Sequence, residues 1–269
     1  MIIAVDTGGT KTLIACFSEK GGITEQVRFP TPQNQNEYLA LLAKTLHSLM
    51  KNTKPTAISI SMPGLVKKGV VVWCGNLPWK NFAIVNDLQK EFPDIPIFVE
   101  NDANLGGLAE TRALSPVPES CIYVAIRTGI GTAIIEDGQI ARATRHSEGG
   151  HMLVEYDGVV QPWERFASGK AIYGAYGKYA RDITSERIWH QITDRISRGF
   201  LALIPVVQPE VIIIGGSMGT HFGKFGTHLA RLLAERLPDY VACPRVIAAR
   251  HPEEAVLHGC YLYALDNLS

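Results

Sequence analysis

Ile2-Ile3-Ala4-Val5-Asp6-Thr7-Gly8-Gly9-Thr10-Lys11 opens the chain, and its reading decides the fold. The apolar run Ile2 to Val5 reads as a buried strand. The Gly8-Gly9 pair turns the backbone, and Thr12 to Phe17 reads as a returning strand. The pattern recurs as Ile122 to Ile126, a Thr128-Gly129-Ile130-Gly131 turn, then Thr132 to Ile135. A strand, a Thr/Gly turn and a second strand at the head of each half predict two related α/β domains.

Working outward, Asn34 to Met50 carries Leu39, Leu42, Leu46 and Leu49 at helical spacing. Ala57 to Ser61 and Ile95 to Val99 read as strands, and Asn104 to Arg112 as a helix. Ser115-Pro116-Val117-Pro118 excludes helix and central strand, because each proline lacks an N–H and fixes its φ. The predicted boundary lies there, giving domains 1–115 and 116–269. Helices are predicted over Pro162 to Ala180, Thr184 to Leu203 and Gly223 to Arg236, and a buried strand over Val211 to Ile214. A terminal helix over Glu253 to Leu268 is expected to pack back on the first domain.

Lys+Arg and Asp+Glu are equal at 26 each, so no global charge favours nucleic acid or an anionic membrane. The apolar runs are strand-length, far short of a membrane span. The N-terminus enters a strand without a signal-peptide pattern, and a cytoplasmic location is expected. The five cysteines are scattered, with no C-x-x-C spacing, so reduced thiols are expected rather than a disulfide framework or zinc cluster.

Four segments carry chemistry. Asp6-Thr7-Gly8-Gly9-Thr10-Lys11 combines glycines that let backbone N–H groups approach an anion with a hydroxyl, a cation and a carboxylate able to hold Mg²⁺. It reads equally as a hairpin turn with a charged neighbour. Thr128-Gly129-Ile130-Gly131 is a second turn of this type. Ile212 to Ser217 ends a buried strand in Gly215-Gly216, where a flat ligand such as adenosine can lie on the main chain, unless this is only a strand-to-helix turn. Asp102 follows a strand, where a carboxylate can take a proton from an attacking hydroxyl, or else cap a helix. Neither a G-x-x-x-x-G-K-[ST] loop nor a strand leading into G-x-G-x-x-G is present, which disfavours the common mononucleotide and dinucleotide folds.

Read in order, these pieces resemble the ROK family of sugar kinases and sugar-responsive repressors, within the actin/hexokinase-like fold. The resemblance rests on D-T-G-G-T-K at 6–11, M-P-G at 62–64, N-L-P-W at 76–79, E-N-D-A-N at 100–104, T-G-I-G at 128–131, E-G-G-H at 148–151, W-E-R-F-A-S-G at 163–169 and I-I-I-G-G-S at 212–217. It implies two ribonuclease H-like α/β domains with a cleft between them. It implies Asp102 as general base, and Asn76, Asn101, Glu148, His151 and Glu164 as sugar ligands with Asp102. Gly8, Gly9, Thr10 and Lys11 would face the phosphates of ATP with Thr128 and Gly129 opposite, Gly215 and Gly216 would line adenosine, and Asp6 would organise Mg²⁺, directly or through water.

Two departures stand out. Many family members carry a C-x-C-G-x-x-G-C-x-E zinc segment between the His and the second Glu. Here Met152 to Trp163 has no cysteine, so no zinc site is expected and packing of Trp163 and Phe166 is expected to fix Glu164. Arg127 stands where an apolar or small residue is common, and reads either as a phosphate contact or as a solvent-facing side chain.

The resemblance implies an ATP-dependent hexose kinase, glucokinase-like and making a sugar 6-phosphate. The alternatives are an N-acetylhexosamine kinase or fructokinase of the same family, or a non-catalytic sugar-sensing regulator. A DNA-binding module is not expected, since the first strand begins at Ile2 and the net charge is zero. The family's habit of pairing implies a homodimer.

Overall fold

The computed structural model describes residues 1–51, 53–251 and 254–268. The chain forms two compact units, Met1–Ala109 with Val256–Ser269, and Glu110–Ala255.

The first unit begins with β1 (Ile2–Thr7), β2 (Lys11–Phe17) and β3 (Ile23–Pro30), followed by α1 (Gln35–Leu49) and β4 (Ala57–Met62). Asn34 caps α1 by accepting from the Asn36 and Glu37 N–H groups, which fixes where that helix starts. A small meander follows, β5 (Leu65–Lys67), β6 (Val70–Trp73) and β7 (Lys80–Phe82), then α2 (Ile84–Glu91), β8 (Ile97–Asn101) and α3 (Asp102–Arg112). The main sheet has the order β3-β2-β1-β4-β8. Its first three strands are antiparallel neighbours, while β4 and β8 continue it in parallel with β1.

The second unit contains β9 (Ser120–Ile126), β10 (Ile130–Glu136), β11 (Gln139–Ile140), β12 (Leu153–Tyr156) and β13 (Val159–Pro162). Then come α4 (Glu164–Ala167), α5 (Gly169–Tyr176), α6 (Glu186–Val207), β14 (Val211–Gly215), α7 (Gly216–Gly219), α8 (Gly226–Arg236) and β15 (Arg245–Ala248). Its sheet order is β11-β10-β9-β14-β15, with an antiparallel meander continued by parallel strands. Each unit thus has the same strand topology, which gives the sequence repeat its physical meaning.

The last helix, α9 (Ala255–Leu268), belongs with the first unit from Val256 onward. Phe17 stacks on its Tyr261 at 4.9 Å. Its predicted start at Glu253 lies outside the described residues. The division between the units falls within α3, ahead of the Ser115–Pro118 segment. Among the described residues no helix is long and apolar enough to cross a membrane.

One predicted element differs. Pro162 to Ala180 is not a single helix: Pro162 ends β13, and α4 and α5 are separated by Ser168, whose backbone is extended. The Ser168 hydroxyl accepts from the Ala171 N–H and restarts the helix. Gly177 then ends α5 in the left-handed region at φ 64°.

Candidate functional site

In the first unit, β1, β4 and β8 run parallel. Their register sets Asp6 beside Ser61, and Ser61 beside Glu100. The Ser61 hydroxyl donates to Asp6 Oδ1 at 3.3 Å, so Asp6 is oriented at the strand end. The Gly8 N–H donates to the Lys11 carbonyl at 2.9 Å, closing a tight turn that leaves Thr10 and Lys11 exposed.

Gly9 lies against the exposed Asn76: a Cβ on Gly9 would stand 3.0 Å from the Asn76 Cβ. Gln33 ties the two segments together. Its Nε2 donates to the Gly9 carbonyl at 3.4 Å, and its carbonyl accepts from Trp79 Nε1 at 2.7 Å. Trp79 is anchored in the core, 4.6 Å from Tyr38, whose hydroxyl bonds Thr7. D-T-G-G-T-K and N-L-P-W are therefore brought to one place by packing.

At the end of β8, Asn101 and Asp102 share the start of α3 unequally. Asn101 is the helix cap: its Oδ1 accepts from the Ala103 and Asn104 N–H groups at 2.8 and 3.2 Å. Its Nδ2 donates to the Gly64 carbonyl at 2.9 Å. The predicted sugar ligand Asn101 thus has its oxygen committed to α3, and retains one amide hydrogen for other work. Asp102 is the first helical residue, half-buried, with its carboxylate at the favourable positive end of the helix and its Oδ1 accepting from the Ala103 N–H at 3.0 Å. Glu100 is buried and accepts from the Asn101 N–H and Asn104 Nδ2, bracing the turn from beneath. Burial, together with the Asp102 charge, pushes the Cys74 thiol up to about 12. Asp102 therefore acts on the same loop that carries Asn76.

In the second unit, Glu164 reaches the Thr128–Gly131 turn. Its Oε2 accepts from the Ile130 N–H at 3.2 Å and lies 2.7 Å from where a Gly129 Cβ would stand. Its Oε1 is 4.0 Å from His151 Nδ1. The Gly149 N–H donates to Thr132 Oγ1 at 3.0 Å, and a Cβ on Gly150 would overlap the Ile130 carbonyl. Glu148, His151, Glu164 and the Thr128-Gly129 turn thus form one cluster around the start of β10. The glycines in it are explained by close approach rather than by turn geometry alone.

Glu164 is fixed by more than the predicted pair of aromatics. Trp163 is fully buried, 5.2 Å from Phe200, and a Cβ on Gly199 would overlap its ring. The β12–β13 hairpin occupies the cysteine-free segment. Its Tyr156 stacks on Phe166 at 4.7 Å, with planes 6° apart. The Arg195 guanidinium lies 5.1 Å over the Tyr156 ring and donates to the Phe166 carbonyl at 3.2 Å.

Gly215 and Gly216 are buried against their own chain. A Cβ on Gly215 would overlap the Tyr123 ring. Gly216 has φ +72°, and a Cβ there would lie 2.6 Å from the Ile126 carbonyl and 2.8 Å from Arg127 Cγ. The Cβ positions of both glycines are thus taken up by residues of β9 and its following turn, which is why neither can carry a side chain. The open volume is beside them, in a cavity of about 440 Å³ lined by Arg127, Thr128, Lys170, Tyr173, Tyr179 and Ser217, among others. The Tyr173 and Tyr179 rings are 4.6 Å apart and half exposed. Sequence reasoning missed Lys170 and both tyrosines. Lys170 directly follows W-E-R-F-A-S-G, and that adjacency was the only signal.

Two five-stranded α/β units of one topology, with glycine turns and carboxylates at their strand ends, make this an actin/hexokinase-like two-domain protein. The ROK family model matches residues 2–267, and the chain belongs to the ROK family. A fructokinase of Lactococcus lactis is 26% identical over 235 residues, covering 80% of this chain and 78% of that protein. The xylose repressor of Caldicellulosiruptor bescii is 23% identical, covering 99% of this chain and 78% of its own length. The crystal structure of an inorganic polyphosphate/ATP-glucomannokinase from Arthrobacter sp. strain KM superposes with a TM-score of 0.76 at 26% identity, covering 98% of each chain.

Proposed function

We propose that this protein is an ATP-dependent sugar kinase that phosphorylates a hexose hydroxyl, with Asp102 as the general base. The observation that carries the reading is the division of labour at the end of β8. Asn101 Oδ1 takes the Ala103 and Asn104 N–H groups, while Asp102 Oδ1 shares only the Ala103 N–H, at 3.0 Å, so the Asp102 carboxylate is oriented at a strand end, where open α/β sheets present ligands. A carboxylate so placed accepts the hydroxyl proton as the hydroxyl oxygen bonds to the γ-phosphorus and the bond to ADP breaks. Asn76, Glu148, His151 and Glu164 would orient the sugar hydroxyls, and Asn101 would contribute its remaining amide hydrogen.

Mg-ATP fits the residues present. The exposed Thr10 and Lys11 lie beside the Gly8-Gly9 turn, and the second unit has a cavity with cationic and aromatic lining. Asp6 supplies a hard oxygen ligand. Among the described residues no group of three or more His, Cys, Asp or Glu could hold a metal, so Mg²⁺ would bind through Asp6, the phosphates and water. Bound there, Mg²⁺ would neutralise charge developing on the phosphates. A glucokinase-type 6-phosphate product, a cytoplasmic location and a homodimer complete the proposal.

A coupled ADP-release assay with Mg-ATP against glucose, mannose, fructose, N-acetylglucosamine and N-acetylmannosamine tests it. Turnover of at least one sugar is expected. Asp102→Asn should lower kcat by about 100-fold or more while sugar binding persists. Near-normal turnover in Asp102→Asn would refute the assigned base. The repressor relative supports a second reading, a sugar sensor without catalysis. That reading predicts sugar binding by folded protein with no ADP release for any sugar.

A further inference from the structure

Arg127 lies in the turn between the end of β9 and the start of β10. Its backbone is held from both sides: its N–H donates to the Gly129 carbonyl at 2.9 Å, and its carbonyl accepts from the Gly169 N–H at 2.7 Å. That fixes the direction in which its side chain leaves the main chain. The side chain then runs over Gly216, where a Cβ would stand only 2.8 Å from Arg127 Cγ. The positive φ of Gly216, +72°, makes the same position unfavourable for any other residue. Past Gly216 the side chain enters the lining of the 440 Å³ cavity with Thr128, Lys170, Arg181 and Ser217. None of the described lining residues is a carboxylate. Thr128, next in sequence, belongs to the turn that Glu164 braces through the Ile130 N–H.

We infer that Arg127 binds the phosphate chain of the donor nucleotide. The inference rests on the kinase reading only in taking the donor to be a nucleotide. A guanidinium offers a planar fork of donors to phosphate oxygens, which an apolar residue here cannot. Its held backbone reduces the ordering needed on binding. The Tyr173–Tyr179 pair supplies ring surface in the same cavity for the base.

The test compares binding of adenosine, AMP, ADP and ATP by titration calorimetry, using wild type, Arg127→Met and Arg127→Lys. A role on the phosphates predicts ADP and ATP binding about 10- to 100-fold weaker in Arg127→Met. Adenosine affinity should stay within about twofold, a difference too small for loss of a charged hydrogen bond. Arg127→Lys should recover part of the loss, because it keeps the charge without the fork. Equal ADP binding by Arg127→Met and wild type would overturn the inference. So would an equal loss for adenosine and ADP, which marks a collapsed cavity, and so would a wild type that binds no adenine nucleotide. The two readings separate cleanly. Arg127-dependent ADP binding without turnover of any sugar sinks the kinase reading alone, while sugar turnover with an unchanged donor KM in Arg127→Met sinks this one alone.

Discussion

Gly199→Ala places two opposing effects in one residue. Gly199 lies inside α6, where replacing glycine by alanine ordinarily stabilises a helix by about 1 kcal/mol. Here a Cβ would overlap the Trp163 indole. The obstacle is a rigid ring rather than the free end of a flexible chain. Trp163 is fully buried, packed on Phe200, and its backbone N–H donates to the Met152 carbonyl at 2.9 Å. It has nowhere to move without shifting α4. Overpacking of this kind costs about 1–3 kcal/mol, and a direct overlap with a fixed ring belongs at the upper end. Subtracting the helix gain leaves a net loss of about 2 kcal/mol. For a unit of this size the thermal midpoint should fall by about 4–8 °C. Glu164 directly follows Trp163, so sugar affinity should weaken as well. Circular dichroism melting of both proteins, with sugar titration below the transition, reads both effects. An unchanged or raised midpoint in Gly199→Ala would refute the claim that the Trp163 contact outweighs helix propensity.

Asn101→Ala should lower stability by about 1 kcal/mol through loss of the Asn104 N–H and Gly64 bonds, the Ala103 N–H still being met by Asp102; equal melting of Asn101→Ala and wild type would contradict this assignment. A thiol reagent at pH 8 should find Cys243 accessible in the native protein and the other four cysteines buried, with all five reacting after denaturation. Burial raises each of these thiols, so their folded pKa values exceed the unfolded ones and their protonated forms stabilise the native state below about pH 9. Stability should then fall as pH rises from about 9 towards 12, the folded value for Cys74, and Cys74→Ala should flatten that decline.

Much of the fold was legible in the sequence because apolar runs and glycine turns are local signals. The strand–turn–strand heads of both halves, α1, β4 and β14 all fall close to their predicted places. Several missed elements carry weak local signals, although α2, with Ile84 and Leu88 buried at helical spacing, was missed despite a clear one. β3 is a largely exposed strand of mixed polarity, and the strands of the β5–β7 meander are only three or four residues long. The predicted helix across Ser168 failed because helical spacing continues through a residue whose hydroxyl starts a new helix.

The sequence by itself determined the paired α/β units, the turns at the strand ends and the family, since these depend on residue type and order along the chain. Only the tertiary structure decided which polar groups are spent on the fold. Asn101 Oδ1 takes two N–H groups of α3 while Asp102 shares one of them, the Cβ positions of Gly215 and Gly216 are filled by Tyr123, Ile126 and Arg127, and Arg195 and Tyr156 clamp the helix that begins with Glu164. The physical reason is common to all three. Capping, close approach and stacking depend on atoms within a few ångströms that are distant in sequence or unresolved by residue type alone, and no periodicity reports them.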